Sequence, residues 1–193
     1  MIDYIKGTIT QMTPTFITLE TGGIGYFINI SVSTFSKLES KTEVRILIHE
    51  VIREDSHQLF GFADSSERDI FRLLISVTGV GANTARMMLS SISPEEIEKA
   101  ILGSDVSILK SVKGIGLKTA QRIIVDLKDK VGKHAGSGEI FTFSDNTSRE
   151  EALSALVMLG FARSAVSKVL DKIVREEKNL TVEDIIKRAL KNL

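Results

Sequence analysis

Residues 76 to 86 read Ser-Val-Thr-Gly-Val-Gly-Ala-Asn-Thr-Ala-Arg, and 35 residues further on, from 111 to 121, the chain reads Ser-Val-Lys-Gly-Ile-Gly-Leu-Lys-Thr-Ala-Gln. Serine, valine, both glycines, threonine and alanine recur at matching places, and Val80 is answered by the equally β-branched Ile115. This repeat constrains the fold more than any other feature, because both copies must form the same small element. Leu73, Leu74 and Val77 close one helix, Gly79 and Gly81 allow a tight turn, and the small Ala85 lets the next helix pack closely. Leu109, Val112, Gly114, Gly116 and Ala120 serve the second copy. Two short helical hairpins in tandem are predicted.

Such a hairpin presents backbone N–H groups at a helix N-terminus, where hydrogen bonds and the helix dipole can hold a phosphate oxygen. No side-chain charge is needed, which suits a chain with 25 Lys and Arg against 25 Asp and Glu. At zero formal net charge there is no global basic field, so a polyanion must be held locally. Side-chain candidates for phosphate contact are Asn83, Thr84 and Arg86 in the first copy, and Lys113, Lys118, Thr119 and Arg122 in the second. Contacts of this kind position a duplex without reading its sequence. The pattern is the helix-hairpin-helix signature. One copy is weak, since Gly-x-Gly also occurs in bland helix turns, whereas two at short spacing point to DNA backbone binding. A dinucleotide fingerprint is excluded by the missing strand and third glycine, and a P-loop by the missing Gly-Lys-[Ser/Thr], which Gly116-Leu117-Lys118-Thr119 fails by one residue.

Around this centre the chain predicts a multidomain α+β protein. Residues 1 to 63 hold five basic and seven acidic residues and read as strands: Ile2 to Thr10, a run around Phe16 to Leu19, a stretch in which Tyr26, Ile28, Ile30 and Val32 alternate with Phe27, Asn29 and Ser31, then Val44 to Ile52 and Gln58 to Phe62. Gly22-Gly23-Ile24-Gly25 supplies a turn, and five short strands suggest an OB-fold barrel. At Asp64 the period becomes helical, with Ile70, Leu73, Leu74 and Val77 on one face and Ser66 with Asp69 as a capping box, so residues 64 to 131 form the helical hairpin domain. Within it Ser93-Pro94-Glu95-Glu96 opens a helix that ends at Gly103. Residues 132 to 147, from Gly132-Lys133-His134-Ala135-Gly136-Ser137-Gly138-Glu139 onward, read as a flexible linker.

Residues 148 to 193 read as a three-helix module. Ser148-x-x-Glu151 opens a helix carrying Leu153, Leu156 and Leu159 that ends at Gly160; a second carries Val166, Val169, Leu170 and Ile173; Thr181-x-x-Asp184 opens a third, with Ile185, Ile186, Ala189 and Leu190 on its buried side. A bundle this small after a linker usually binds another protein. Composition agrees with an ordinary globular chain: 42% hydrophobic, 26% charged, no cysteine and no tryptophan, which excludes a disulfide scaffold. No apolar run approaches the roughly 20 residues of a membrane span. The N-terminus lacks signal-peptide character, so a cytoplasmic protein is expected.

Barrel, tandem helix-hairpin-helix domain, linker and three-helix tail together resemble the RuvA family of bacterial Holliday-junction proteins along essentially the whole chain. Val51-Ile52-Arg53-Glu54-Asp55, followed by Leu59-Phe60-Gly61-Phe62, is similar to the family's barrel segment bearing an acidic pin. The resemblance implies a homotetramer, four or eight subunits embracing the DNA, on which an open four-way junction lies flat with Glu54 and Asp55 at its centre. It implies that the C-terminal UBA-like bundle docks on RuvB, a hexameric ATPase that uses the ATP, and that RuvC resolvase is a further partner. The protein itself then has no cofactor and no catalytic site, and serves homologous recombination, DNA repair and the SOS response to DNA damage. Two departures stand out. Lys113 replaces a usual proline and Leu117-Lys118 an often doubly basic pair, so that Lys113 is placed to restore the charge Leu117 removes; Ala82-Asn83 replaces a common Pro-Lys pair.

From the residues alone, Glu54 and Asp55 could be metal ligands, an acid and base, a solvated turn, or a pin. His49, His57 and His134 have no metal-ligand spacing, and no Ser/His/Asp arrangement is readable. Leu159, Gly160 and Phe161 could be ordinary core and cap or a partner contact. The competing readings are a helix-hairpin-helix repair enzyme, which would need a catalytic lysine or carboxylate cluster, and a barrel that binds single-stranded nucleic acid. Against the latter, aromatic content is only 6%, and Tyr26 and Phe27 fit a core role.

Overall fold

The computed structural model describes residues 1–135, 146–177 and 180–193. Period-two alternation over the first third yields five strands: β1 Tyr4–Met12, β2 Phe16–Thr21, β3 Ile24–Ile30, β4 Glu43–Ile52 and β5 His57–Phe62. They close into a barrel in the order β1-β2-β3-β5-β4, all neighbours antiparallel except β3 and β5. Inward-facing Ile17, Leu19, Ile28, Ile30, Ile46 and Ile48 fill it. At Gly61 a Cβ would lie 2.5 Å from Ile28 Cγ2 and 2.7 Å from Ile46 Cγ2, so the barrel closes around a bare backbone there.

The alternation expected to run to Val32 stops two residues earlier. Ser31 instead caps a helix, α1 Val32–Leu38, its Oγ accepting the Thr34 N–H at 2.9 Å. Helix α2 spans Ser65–Ile75, and its cap is Asp64, which accepts from Glu67 N at 2.9 Å, in place of the expected Ser66 and Asp69 pair. Then come α3 Ala82–Ser91, α4 Pro94–Leu102, α5 Val106–Lys110 and α6 Leu117–Ala135. Helix α4 has the expected box between Ser93 and Glu96 and ends at Gly103.

Residues 1–137 form one compact unit and 138–193 a second. Barrel and helices, on either side of the boundary expected near residue 63, pack together in the first unit. Phe71 of α2 explains this: its ring centroid lies 5.2 Å from that of Phe60 and 4.9 Å from that of Phe62, so one core runs from β5 into the helices.

The linker expected over 132–147 is helical at 132–135, within α6, and at 146–147, because α7 spans Asn146–Met158; residues 136–145 lie outside the described residues. Ser148 consequently sits inside α7 and does not cap it. Helices α8 Arg163–Glu176 and α9 Val182–Asn192 complete the second unit, with Thr181 capping α9 from Asp184 N at 3.2 Å. Its core is Ala152, Leu153, Leu156, Val166, Leu170, Ile173, Ile185 and Ala189. Leu159 and Leu190, expected in that core, are exposed. Among the described residues no helix is long and apolar enough to cross a membrane.

Candidate nucleic-acid interface

The two copies of the repeat fold alike, bond for bond. After α2, the Ser76 hydroxyl donates to Leu73 O at 2.7 Å, Val80 N to Val77 O at 3.0 Å and Ala85 N to Gly81 O at 2.9 Å. After α5, Ser111 donates to Ile108 O at 2.7 Å, Ile115 N to Val112 O at 3.1 Å and Ala120 N to Gly116 O at 3.0 Å. Val77, Val80, Ala82 and Ala85 are buried, as are Val112, Ile115 and Ala120, while Thr78, Gly79 and Gly81 in the first turn and Lys113, Gly114 and Gly116 in the second are exposed.

Gly79 and Gly114 take φ of +95° and +92°, which only glycine adopts without strain. Gly81 and Gly116 differ. Gly81 has an ordinary φ of −86°, Gly116 lies outside the positive-φ set, and a Cβ on either would meet no atom within 4 Å. Among the described residues nothing crowds positions 81 and 116, which leaves the backbone N–H groups of these turns open to approach from outside.

The expected side chains divide. Asn83, Lys113 and Lys118 are exposed, and Thr84 and Thr119 half-buried, around the two turns. Arg122 is exposed on α6 and pairs with Asp126 at 3.5 Å. Arg86, expected to contact phosphate, is half-buried and its Nη1 donates to Thr15 O and to Asn29 Oδ1, both at 3.0 Å, so it fastens α3 to the barrel. No local signal could have shown this, since the partners lie 71 and 57 residues away.

A second fastening has no counterpart in the sequence reading. Glu67, fully buried on α2, accepts hydrogen bonds from the Ser31 hydroxyl and from Thr34 Oγ1, the latter at 2.7 Å. Burial pushes its pKa up against those two donors. A glutamate in the first helical turn reads in sequence as a capping residue, which hides this role.

Glu54 and Asp55 occupy the tip of the hairpin between β4 and β5, closed by Arg53 N donating to Ser56 O at 2.8 Å. Both are exposed, and neither side chain makes an ion pair or hydrogen bond among the described residues. At the hairpin's base, Glu50 behaves oppositely. It accepts from Ile2 N at 2.9 Å, which lowers its pKa, and lies 3.5 Å from His57 Nε2 and 3.8 Å from the Met1 amine. A groove of about 330 Å³ runs between Val51, Ile52 and Arg53, at the end of β4 and the start of its turn, and Val80, Gly81 and Ala82 of the first hairpin, so the segment leading into the acidic tip borders that hairpin. The second hairpin lies beside the first: Met87 Cε of α3 is 3.9 Å from where a Gly114 Cβ would be.

Among the described residues no group of three or more His, Asp or Glu is placed to hold a metal ion. His49 packs edge-on against Phe71, and His134 falls in α6 rather than in a linker. In the second unit, Gly160 has φ +99°, Gly160 N donates to Val157 O at 3.0 Å and Phe161 N to Leu156 O at 3.2 Å, a helix-ending motif that leaves Met158 and Leu159 exposed and Phe161 half-buried.

A closed OB-type barrel carrying an acidic turn beside two helix-hairpin-helix motifs defines a nucleic-acid-binding class. Within it the family is specific: residues 1–61 match the RuvA N-terminal domain, 71–129 the SAM-like helix-hairpin-helix tandem and 147–193 the RuvA C-terminal domain. The Holliday junction branch migration complex subunit RuvA of Christiangramia forsetii is 54% identical over 193 residues, and that of Flavobacterium psychrophilum 50% identical over 193, each match covering all of both chains. The subunit from Bacteroides thetaiotaomicron is 46% identical over 201 aligned residues, again with full coverage of both. The chain belongs to the RuvA family.

Proposed function

We propose that this protein is the junction-recognition subunit of a branch-migration complex, holding four-way DNA by its backbone independently of sequence. The observation that carries the reading is the pair of hairpins with matching hydrogen bonds and outward-open glycines at 81 and 116. Two equal grips on one compact unit suit two successive phosphates of a duplex arm. A symmetric assembly of four such units, or eight on both faces, supplies a pair of grips to every arm of an open junction.

Glu54 and Asp55 supply the discrimination. In a symmetric assembly every subunit brings two more carboxylates to the same centre. Each phosphate brought near one is repelled by about 1 kcal/mol in water and by more where solvent is excluded. A continuous duplex crossing that centre meets this repulsion, whereas an open junction keeps its phosphates around the rim. The subunit performs no chemistry in this scheme. A RuvB-type hexameric ATPase drives migration, a RuvC-type resolvase follows, and recombination and repair of the chromosome place the protein in the cytoplasm. Docking of the motor on the second unit is supported by Met158 and Leu159, which leave apolar surface exposed next to Gly160 and Phe161.

Gel-shift titrations with a four-way junction, a linear duplex and a single strand at one salt concentration test this reading. The junction should bind far more tightly than the other two. Glu54→Gln with Asp55→Asn should raise duplex affinity and shrink the junction-to-duplex ratio while the assembly stays intact. Equal affinity of the unaltered protein for junction and duplex would overturn the proposal. Removing residues 136–193 should leave junction binding in place and abolish stimulation of the motor's ATPase.

A further inference from the structure

Among the described residues the first hairpin carries no free cation of its own on its exposed turn. Asn83 stands where the second copy has Lys118, and Arg86 is held by Thr15 and Asn29. Arg53, however, lines the same 330 Å³ groove as Gly81 and Ala82. Its side chain is exposed and makes no ion pair or hydrogen bond among the described residues. The other titratable groups lining the groove are occupied or neutral. Burial, followed by the nearby Arg72 and Arg68, lowers the pKa of His49, and Glu50 is engaged by Ile2 N, the Met1 amine and His57.

Resting on the junction-binding reading, we propose that Arg53 is the phosphate-binding cation of the first hairpin, supplied by the barrel, and that it grips the phosphodiester nearest the strand crossover. Arg53 directly precedes Glu54 in the chain. Attraction and repulsion therefore alternate along one turn: the guanidinium holds a backbone phosphate in the groove, and the carboxylates turn the strand away from the centre. A guanidinium suits the task because its planar fork can hold two phosphate oxygens at once. The position also sets its selectivity. A phosphate on the distal second hairpin meets Lys118 on any duplex, whereas Arg53 meets one only when a strand comes up to the acidic turn.

Arg53→Gln should weaken junction binding about ten-fold and lower the salt slope by about 0.9 for each phosphate that is no longer neutralised, with duplex affinity changed by less than about three-fold. Arg53→Lys should recover most of the slope. As an independent measurement, a junction with neutral methylphosphonate linkages at the phosphates flanking the crossover should bind the unaltered protein more weakly, and should cost the Arg53→Gln protein nothing further. Unchanged junction affinity and slope in Arg53→Gln would overturn the assignment, as would equal weakening on junction and duplex, which would make Arg53 a generic backbone cation. Gly116→Ala run alongside separates the two levels of inference. If it loses junction binding while Arg53→Gln does not, only Arg53 falls; if it also binds normally, the hairpin reading itself fails.

Discussion

In the second hairpin Lys118 stands free on the first turn of α6, whereas in the first the matching Asn83 is uncharged and Arg86 is committed to Thr15 O and Asn29 Oδ1. The two copies nonetheless make the same three hydrogen bonds, one from a serine hydroxyl and two between backbone groups, at nearly the same lengths. What differs is the surroundings. The first copy is bound to the barrel through Arg86, through Glu67 on Ser31 and Thr34, through Arg68 on Asp3 at 2.7 Å and through the Phe71 cluster. The second packs against α4, with Met87 of α3 beside Gly114, and leaves Lys113 and Lys118 exposed. Duplication thus preserved the part that the backbone performs and let the side chains divide into a copy that positions and a copy that carries charge.

The largest effect should come from what the copies share. Gly81→Ala and Gly116→Ala introduce a methyl group into open space at unstrained positions, so thermal stability should hold while each reduces junction affinity by roughly 100-fold, as expected for blocked N–H contacts to charged oxygens. Gly79 and Gly114 variants should lose binding as well, but with about 1–3 kcal/mol of added strain visible in thermal melts. A large loss from one copy and none from the other would show that the matched backbones are not matched in use.

Glu67 separates the copies next. Its pKa in the folded protein is raised by burial, so folding favours the protonated form; its contribution to stability is full below the ordinary glutamate value of about 4.3 and declines as pH rises toward the raised one. Glu67→Gln places an amide NH2, which cannot accept, opposite one of the Ser31 and Thr34 hydroxyls and should cost about 1–3 kcal/mol in the acid range where the native side chain contributes fully. The deficit should shrink toward neutral pH, where the native protein loses its advantage. Denaturant titrations from pH 4 to 8 read this directly, and parallel stability curves would mean that Glu67 does not titrate across folding.

Glu67 and Arg86 mark the edge of what the sequence made legible. The hairpins could be read because all their determinants lie within a dozen residues: an apolar pair, a turn built on two glycines and a small residue after it. The barrel and the capping box at Ser93 and Glu96 were readable for the same reason, through local alternation and local hydrogen bonds. Helix α1 was hidden because Ser31 and Val32 continue a period-two pattern that also serves as a cap and first turn. Arg86 and Glu67 were beyond reach: their partners lie 33 to 71 residues away, so their roles depend on how barrel and helices meet.

Lys118→Ala and Asn83→Lys give the smallest effects and the finest comparison. Lys118→Ala should lower junction affinity several-fold and reduce the salt slope by about 0.9 per phosphate released, with no change in sequence preference. Asn83→Lys places a matching cation at the first hairpin, at a stability cost of about 0.3–1 kcal/mol because a cation on the first turn of α3 opposes the helix dipole. The combined variant moves the charge from one copy to the other at constant net charge. If the hairpins are equal grips on equivalent phosphates, the combined protein binds a junction with the parent's affinity and slope. If Arg53 already serves the first hairpin, the added lysine competes for a phosphate that is held, and the combined variant stays as weak as Lys118→Ala alone. Adding Arg53→Gln to it should then restore the benefit of Asn83→Lys, which makes the order of the three titration curves a direct measure of how the two copies divide the charge.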